Sequence, residues 1–375
     1  MTNNTKKAKK EWVRGLSPDT VVWEITLACN MRCIHCGSSA SQLTKRRDEL
    51  TTAEALGAIR QLKEIGTNRI VLSGGEPFIR RDWDALAAEI ARLGITPSFI
   101  SNGFLINEQV AEKIKALNRP NAHVGISVDG DEETHDYIRQ TKGSFKRAIG
   151  AMDILREKGI LVSAITQVNK INFRVLDKIR DFVFGHGVYA WQIQLATPWG
   201  RLAKTPKLIF TPKDYMELMK YIVGQKKLYG EKIVAADDIG YYTELENTIR
   251  PKGEWQGCHA GVRVLGLTSN GGVTGCLSLQ EKRFIEGNVR KRKLKDIWYD
   301  PELFSYNRDF KESDLKGFCR QCPHRLKCRG GCKNTSYSFS RCLCNNFFCA
   351  FRIMMGKSPD KIAVRRGTGL GQYHP

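Results

Sequence analysis

Short apolar runs recur along the chain as far as about residue 200, separated by polar loops and by stretches whose apolar residues have helical spacing. The runs predict six strands, at residues 21–27, 69–73, 96–101, 123–128, 161–168 and 190–196, and the intervening stretches, such as 52–65 and 145–158, predict helices. Strand and helix in alternation indicate parallel strands joined by crossovers. Functional groups then gather at the carboxyl ends of the strands.

The segments outside this pattern differ in composition. Residues 1–20 are lysine-rich and predict a basic arm that is disordered or loosely docked. We assign residues 21–225 to the α/β core and 226–255 to a connector that follows a helix predicted at 212–227. Residues 256–349 form a cysteine-rich domain, and 350–375 form a basic tail.

The cysteine content points to metal binding. The chain has 375 residues and 12 cysteines, of which three lie near the start and nine after residue 257. No apolar run approaches the roughly 18 residues of a membrane span, and the first residues lack a signal-peptide core. We therefore expect a cytoplasmic protein, in which thiols stay reduced and serve as metal ligands.

The net charge of +21 favours an acidic partner, because an excess of Lys and Arg attracts polyanions. The charge is spread along the chain, with denser places at residues 6–10, 290–295 and 361–366. No RNA-binding aromatic motif accompanies them. An acidic peptide or carrier is therefore a better candidate partner than a nucleic acid.

The first predicted strand leads into Cys29, Cys33 and Cys36, which have the spacing CxxxCxxC. Three thiolates leave one iron of a 4Fe-4S cluster without a protein ligand, so that a substrate or cofactor can bind there. The alternative, half of a structural zinc site, is less favoured because zinc cysteine pairs usually read CxxC.

This trio resembles the signature of radical S-adenosylmethionine (radical SAM) enzymes, including an aromatic-type residue, His35, before the last cysteine. The resemblance implies a partial (β/α)6 barrel like that of TIM-barrel proteins, with the trio as the catalytic cluster site. One strand and helix later comes Gly74-Gly75-Glu76-Pro77, which resembles the family segment that binds the methionine amino group of the cofactor.

Further cofactor contacts are expected at the later strand ends. The third strand ends at Ser101 and Asn102. The fourth ends at Ser127-Val128-Asp129-Gly130, followed by His135 and Arg139, and resembles the family's cofactor-contacting segment. Hydroxyl, carboxylate and guanidinium groups suit ribose hydroxyls and the methionine carboxylate. Gln167 and Asn169 after the fifth strand, and Gln192, Gln194 and Leu195 in the sixth, complete the candidates. For His135 and for the amide side chains, a structural role remains an equal alternative.

The later cysteines resemble those of the SPASM domain, an extension of radical SAM enzymes that usually holds two auxiliary 4Fe-4S clusters. The resemblance implies one cluster on Cys319, Cys322, Cys328 and Cys349, and another on Cys258, Cys276 and Cys332. With the catalytic cluster this makes three. The second auxiliary set has only three clear thiolates. Its last iron is either open to substrate or bound by Cys342, Cys344 or a non-cysteine ligand, and a zinc ribbon at residues 319–332 is a less favoured alternative.

The resemblance implies that S-adenosylmethionine is cleaved to a 5'-deoxyadenosyl radical, which removes a hydrogen atom from the substrate. Auxiliary clusters favour net oxidation, and most relatives of this type act on peptides. We therefore expect a maturase that forms C-S or C-C crosslinks in a ribosomally made peptide. A separate leader-recognition protein and a flavodoxin or ferredoxin are the expected partners. Modification of a tetrapyrrole or another redox cofactor is the first alternative, and a zinc-stabilised RNA- or protein-binding module is the second.

Overall fold

The computed structural model describes residues 3–44, 46–251 and 253–359. Its strands are β1 (Thr20–Thr26), β2 (Arg69–Gly74), β3 (Thr96–Ser101), β4 (His123–Ser127), β5 (Leu161–Val168), β6 (Ala190–Leu195), β7 (Ile233–Ala235), β8 (Val264–Leu267), β9 (Gly272–Thr274) and β10 (Ile285–Asn288). The six strands predicted from the apolar runs are confirmed as β1 to β6.

The longer helices cover the strands, and most of the shorter ones follow in the cysteine-rich part. They are α1 (Asn3–Arg14), α2 (Thr52–Glu64), α3 (Trp83–Arg92), α4 (Glu108–Lys115), α5 (Glu132–Arg139), α6 (Ser144–Glu157), α7 (Leu176–Gly185), α8 (Pro212–Tyr229), α9 (Glu246–Ile249), α10 (Leu294–Trp298), α11 (Ser305–Arg308), α12 (Phe318–Gln321), α13 (Arg325–Cys328), α14 (Lys333–Ser340) and α15 (Ala350–Met354). Helix α2 begins at a capping box in which Thr51 and Glu54 satisfy each other's backbone N–H groups.

One sheet contains all of these strands, in the order β10-β9-β8-β1-β2-β3-β4-β5-β6-β7. Strands β1 to β7 pair in sequence order and are parallel, as expected for an open, partial (β/α)6 barrel extended by one short strand. At the other edge β8 pairs in parallel with β1, and β9 and β10 continue antiparallel. The cysteine-rich part therefore begins by extending the barrel sheet.

Polar contacts fasten this extension to β1. The buried carboxylate of Glu24 accepts a hydrogen bond of 3.0 Å from the hydroxyl of Ser269 and pairs with Arg46 at 2.5 Å. Nearer the surface, Arg290 pairs with Glu54 at 2.6 Å. Because these pairs join β1 and α2 to the segments after β8 and β10, the extension has a fixed position beside the first strand.

The amino-terminal segment, expected to be a disordered or loosely docked arm, is helical. Residues Asn3–Arg14 form α1, in which Val13 is fully buried and Lys9 pairs with Asp309 at 2.5 Å and with Glu302 at 3.4 Å. These two ion pairs connect the helix to the extension. The predicted domain boundaries stay predictions, and within the basic tail residues 360–375 lie outside the described residues.

In the described part of the chain, no helix combines the length and the apolar character that crossing a membrane requires.

Candidate active site

A cavity of about 180 Å³ lies at the carboxyl ends of the barrel strands. It brings together most of the residues that the sequence proposed as contacts of a cofactor. Those that line it are Cys29, Cys33, His35, Cys36, Gly74, Gly75, Ser101, Asn102, Ser127, Arg139, Gln167 and Gln194. These residues come from β1 to β6 and the loops that follow them, so the parallel sheet explains why residues so far apart in sequence meet.

Neighbouring segments hold the loop that carries Cys29, Cys33 and Cys36. The backbone N–H of Ile34 donates to the carbonyl of Ile138 at the end of α5, at 2.9 Å. From the other side, Arg201 donates to the carbonyls of Cys33 at 2.6 Å and Ala40 at 2.8 Å, and its own backbone N–H donates to Cys36. Sequence reasoning missed Arg201, because it lies in an irregular loop after β6 and matches no motif.

The glycine pair after β2 packs against the end of β1. A Cβ atom on Gly74 would lie 2.1 Å from the carbonyl oxygen of Thr26, and one on Gly75 would lie 2.2 Å from that of Ala28. The N–H of Gly75 also donates to Thr26 at 2.8 Å. The sequence analysis assigned these glycines to a segment that binds the methionine amino group of the cofactor. The structure shows that backbone packing already requires them, although both also line the cavity.

Glu76 lies beneath the cavity rather than in its wall. Its fully buried carboxylate accepts hydrogen bonds from the Ser101 hydroxyl at 2.9 Å and from the Asn102 N–H at 2.8 Å. Burial raises the pKa of Glu76 to about 7, although these bonds oppose the shift. The side chain therefore positions the end of β3, and its predicted role as a direct cofactor contact remains a prediction.

Asp129, at the end of β4, is the centre of a buried polar network. Its carboxylate lies 2.5 Å from Arg139 and 2.9 Å from Nε2 of His35, and it accepts the N–H of Gln167 at 3.0 Å. Burial disfavours the carboxylate, but the charges of Arg139 and His35 outweigh it and hold the pKa of Asp129 well below its usual range. From the sequence, this carboxylate was predicted to bind ribose hydroxyls. In the structure it instead binds protein groups.

Arg139 connects this network to the cysteine trio, because its Nη1 lies 3.9 Å from Sγ of Cys33. Burial raises the pKa of the Cys33 thiol, and the charge of Arg139 only partly offsets that effect. Burial also raises the pKa of Cys29 to about 12. Two polar atoms in the network, Nε of Arg139 and Nδ1 of His35, are buried without a hydrogen-bond partner in the described structure.

Further candidates lie outside the lining of this cavity. Gln192, in β6, lines a different cavity. Pro77 is buried in the turn after β2, and Asn169 is used by its own loop, where its Oδ1 accepts the N–H of Ile171 at 2.9 Å. The N–H of Leu195 donates to the carboxylate of Asp238 at 3.2 Å. Their predicted cofactor contacts remain predictions.

His135 takes the structural alternative, because its Nδ1 accepts the N–H of Asp129 at 3.1 Å. Burial and the charge of Arg139 lower the pKa of this imidazole to about 3, so it is neutral.

A second, smaller cavity lies within the cysteine-rich part and is lined by Cys319, Cys322, Cys328 and Cys349. Half of the other lining residues are aromatic, among them Tyr242, Phe318 and Phe351. Burial raises the pKa of Cys349 to about 12, and the neighbouring charges of Cys319 and Cys322 add to the shift. Four soft thiol donors around one apolar space match the ligands of a 4Fe-4S cluster.

Cys258, Cys276 and Cys332 form a separate group. Burial raises the pKa of Cys332 well above its usual value, and the charges of Cys258 and Cys276 contribute to the shift. Cys344, by contrast, packs beside Cys319 and accepts a hydrogen bond of 3.1 Å from the buried Lys333 ammonium. Among the described residues no group of three or more His, Cys, Asp or Glu side chains is placed to hold a metal ion. In a 4Fe-4S cluster, however, each thiolate binds its own iron atom.

Comparison with known proteins agrees with this geometry. Residues 23–183 match the radical SAM superfamily, and residues 258–323 match the SPASM iron-sulfur cluster-binding domain. The chain is 28% identical to the AdoMet-dependent heme synthase of Methanosarcina barkeri, over 86% of this chain and 93% of that protein. It is 29% identical to the mycofactocin maturase MftC of Mycolicibacterium smegmatis, over 86% of this chain and 80% of that protein.

The fold is shared with Streptococcus suis SuiB, whose crystal structure bound to its precursor peptide SuiA superposes with a TM-score of 0.66 at 18% identity. The superposition covers 88% of this chain and 76% of SuiB.

Proposed function

Because the chain belongs to the radical SAM superfamily and carries a SPASM extension, we propose that it oxidatively modifies a ribosomally made peptide, forming a C-S or C-C crosslink. The observation that carries the proposal is the cavity at the strand ends, where three cysteines meet the residues expected to contact S-adenosylmethionine. A 4Fe-4S cluster would be held by Cys29, Cys33 and Cys36. It would supply the electron for cleavage of S-adenosylmethionine and so initiate removal of a hydrogen atom from the substrate.

The protein's own residues position the cofactor. Arg139, fixed by Asp129, lines the cavity and offers its guanidinium group to the methionine carboxylate. Ser127 and Gln167 line the same wall and offer a hydroxyl and an amide to ribose or adenine. Gly74 and Gly75 offer backbone carbonyls to the methionine ammonium. Cofactor and substrate that fill this cavity together would leave little room for water or other hydrogen donors.

Two auxiliary clusters, in addition to the first, are part of the proposal. Cys319, Cys322, Cys328 and Cys349 supply a complete set of thiolates, and Cys258, Cys276 and Cys332 supply an incomplete one. An auxiliary cluster can accept the electron that remains on the product radical after hydrogen abstraction. Net oxidation of the substrate, as crosslink formation requires, then balances without a further oxidant bound in the barrel.

A peptide substrate is supported by the relatives and by charge. MftC is named a maturase, and SuiB binds a precursor peptide. The net charge of +21 would attract an acidic leader segment. A separate leader-recognition protein, and a flavodoxin or ferredoxin as electron donor, belong to the same proposal.

A second candidate substrate is a tetrapyrrole. It is supported by the heme synthase relative, whose 28% identity extends over most of both chains. Arginine and lysine side chains could bind its propionate groups as well as they bind a peptide carboxylate.

The test uses the reconstituted enzyme with dithionite and S-adenosylmethionine, and offers either a short peptide encoded beside the gene or iron-coproporphyrin III. We expect 5'-deoxyadenosine together with a peptide that has lost two hydrogen atoms, detected by mass spectrometry. A changed tetrapyrrole with an unchanged peptide would favour the second candidate. Formation of no 5'-deoxyadenosine with either substrate would contradict both.

A further inference from the structure

The cysteine group Cys258, Cys276 and Cys332 lacks a fourth thiolate. A 4Fe-4S cluster bound by three thiolates has one iron that must find another ligand or stay open. Two later cysteines, Cys342 and Cys344, could have completed the set, but both pack in one cluster with Cys319, and Cys344 is hydrogen-bonded to Lys333. The remaining candidates are oxygen and nitrogen donors near the three cysteines.

Asp238 is a buried carboxylate with one oxygen unused. The residue is 8% exposed, and its Oδ2 accepts the N–H of Leu195 at 3.2 Å. Its Oδ1 is buried and has no hydrogen-bond partner in the described structure. A buried carboxylate oxygen without a donor or cation is unfavourable, because it has lost its hydration and gained nothing in return. Oδ1 therefore has an unfilled place for a ligand atom or ion.

Hydrogen bonds fix Asp238 beside the cysteine group. The hydroxyl of Tyr241 accepts the N–H of Cys332 at 3.2 Å and donates to the carbonyl of Asp237 at 2.7 Å, so one side chain joins the two segments. Asp238 is the next residue along the chain, so this bridge places its buried carboxylate close to the segment of Cys332.

We propose that Oδ1 of Asp238 is the fourth ligand of the cluster held by Cys258, Cys276 and Cys332. The inference rests on the proposed function, since it requires that cluster. The ligand set is then complete, and no iron of this cluster is open to substrate. The bond from Leu195 connects the same carboxylate to the carboxyl end of β6, where the barrel cavity begins.

Tyr306 offers another unused oxygen in this region. Its hydroxyl is buried without a partner in the described structure. Burial raises the pKa of Asp238 to about 7 and the pKa of Tyr306 well above its ordinary value of about 10, so the carboxyl group gives up its proton to bind iron more readily than the phenol does. Asp238 is therefore the better ligand, and Tyr306 supplies a matched control.

The test uses the full-length chain with Cys29, Cys33 and Cys36 changed to alanine, so that only the auxiliary clusters remain. The parent, Asp238→Ala, Asp238→Cys and Tyr306→Phe are reconstituted anaerobically and reduced with dithionite. Each electron paramagnetic resonance spectrum is recorded with and without potassium cyanide, a small ligand for an open iron. Iron content and circular dichroism verify cluster number and folding.

We expect the parent and Tyr306→Phe to be unaffected by cyanide, and Asp238→Ala to acquire a cyanide-dependent spectrum. Asp238→Cys should keep its cluster, ignore cyanide and give a spectrum different from the parent, because sulfur replaces oxygen at one iron. A parent spectrum that already shifts with cyanide would overturn the proposal. So would a response of Tyr306→Phe in place of Asp238→Ala, or loss of the cluster in both Asp238 variants.

The presence of the auxiliary clusters and the role of Asp238 can be contradicted separately. A parent with far fewer than about eight irons per chain would contradict the auxiliary clusters, and with them this part of the proposed function. A parent with about eight irons and a cyanide-sensitive spectrum would contradict only the role of Asp238.

Discussion

The guanidinium of Arg139 lies 2.5 Å from the carboxylate of Asp129, where the aspartate is fully buried and the arginine largely so. Asp129 lies two residues after the end of β4, and Arg139 is the last residue of α5. The residue before it, Ile138, accepts the N–H of Ile34 from the cysteine loop. The ion pair therefore fixes the helix that holds the loop. A buried pair of this kind is costly to break, because the remaining charge loses its partner in a medium of low dielectric constant.

Replacement of Arg139 by methionine should lower the free energy of unfolding of the metal-free protein by about 3–5 kcal/mol, the loss typical of a broken buried pair. The double variant Asp129→Asn, Arg139→Met should be more stable than the single variant, because it no longer leaves a carboxylate buried without this partner. Urea unfolding of the four proteins in the cycle measures the coupling. Strictly additive effects would show that the pair contributes no coupling to the fold.

Gly200 controls how closely the loop after β6 approaches the cysteine loop. It has a φ of +51°, and a Cβ atom there would lie 2.2 Å from the carbonyl oxygen of Gly37. Gly200→Ala should displace the cysteine loop and reduce 5'-deoxyadenosine formation by about 10²-fold, as expected for a shift of about 1 Å at a reacting centre.

Gly159→Ala is the control for Gly200→Ala, since Gly159 also has a positive φ, of +75°, but a Cβ atom there would meet nothing within 4 Å. It should lower stability by about 1–2 kcal/mol through backbone strain and leave activity near the parental value. Equal losses of activity in the two variants would contradict the clash as the cause.

Glu76 should make the metal-free protein less stable as pH rises. Burial raises its pKa from 4.5 to about 7, so the folded state holds a proton that the unfolded state releases first. The stabilisation by the protonated form is complete below pH 4.5 and is lost as pH rises through about 7. Glu76→Gln cannot ionise and should lack this part of the pH dependence, which is on the order of 3 kcal/mol.

Urea unfolding across that pH range measures the effect for Glu76. The readout is the slope against pH, because glutamine also alters the bonds to Ser101 and Asn102 and so changes absolute stability. Identical slopes for the parent and Glu76→Gln would show that the carboxyl group does not titrate in this range.

The sequence predicted the barrel well because β1 to β6 are apolar runs long enough to be recognised. It missed β7, which is only Ile233–Ala235, and the three strands by which the extension joins β1, since such short strands are defined by pairing rather than by pattern. It also missed α1 as a helix. Lysines dominate that segment, and the burial of Val13 depends on a surface formed by distant residues.

Motif spacing identified most of the residues that line the barrel cavity, because parallel strands place their ends together. Motif spacing could not show which polar side chains bind each other and which remain free to bind a cofactor. Asp129 faces His35 and Arg139, and Glu76 supports β3 from below, only because segments far apart in sequence converge there. Arg201 and Asp238 were missed for the same reason. Each lies in an irregular loop, and its hydrogen-bond partners lie far away in the sequence.

The most direct test of the central claim compares Cys33→Ala with Cys342→Ala, a change at a cysteine outside the three proposed ligand sets. Both proteins are purified and reconstituted anaerobically, and 5'-deoxyadenosine is measured with dithionite and S-adenosylmethionine. Cys33→Ala should form none, while Cys342→Ala should retain the parental rate. Formation of 5'-deoxyadenosine by Cys33→Ala at the parental rate would contradict a radical-generating cluster at Cys29, Cys33 and Cys36.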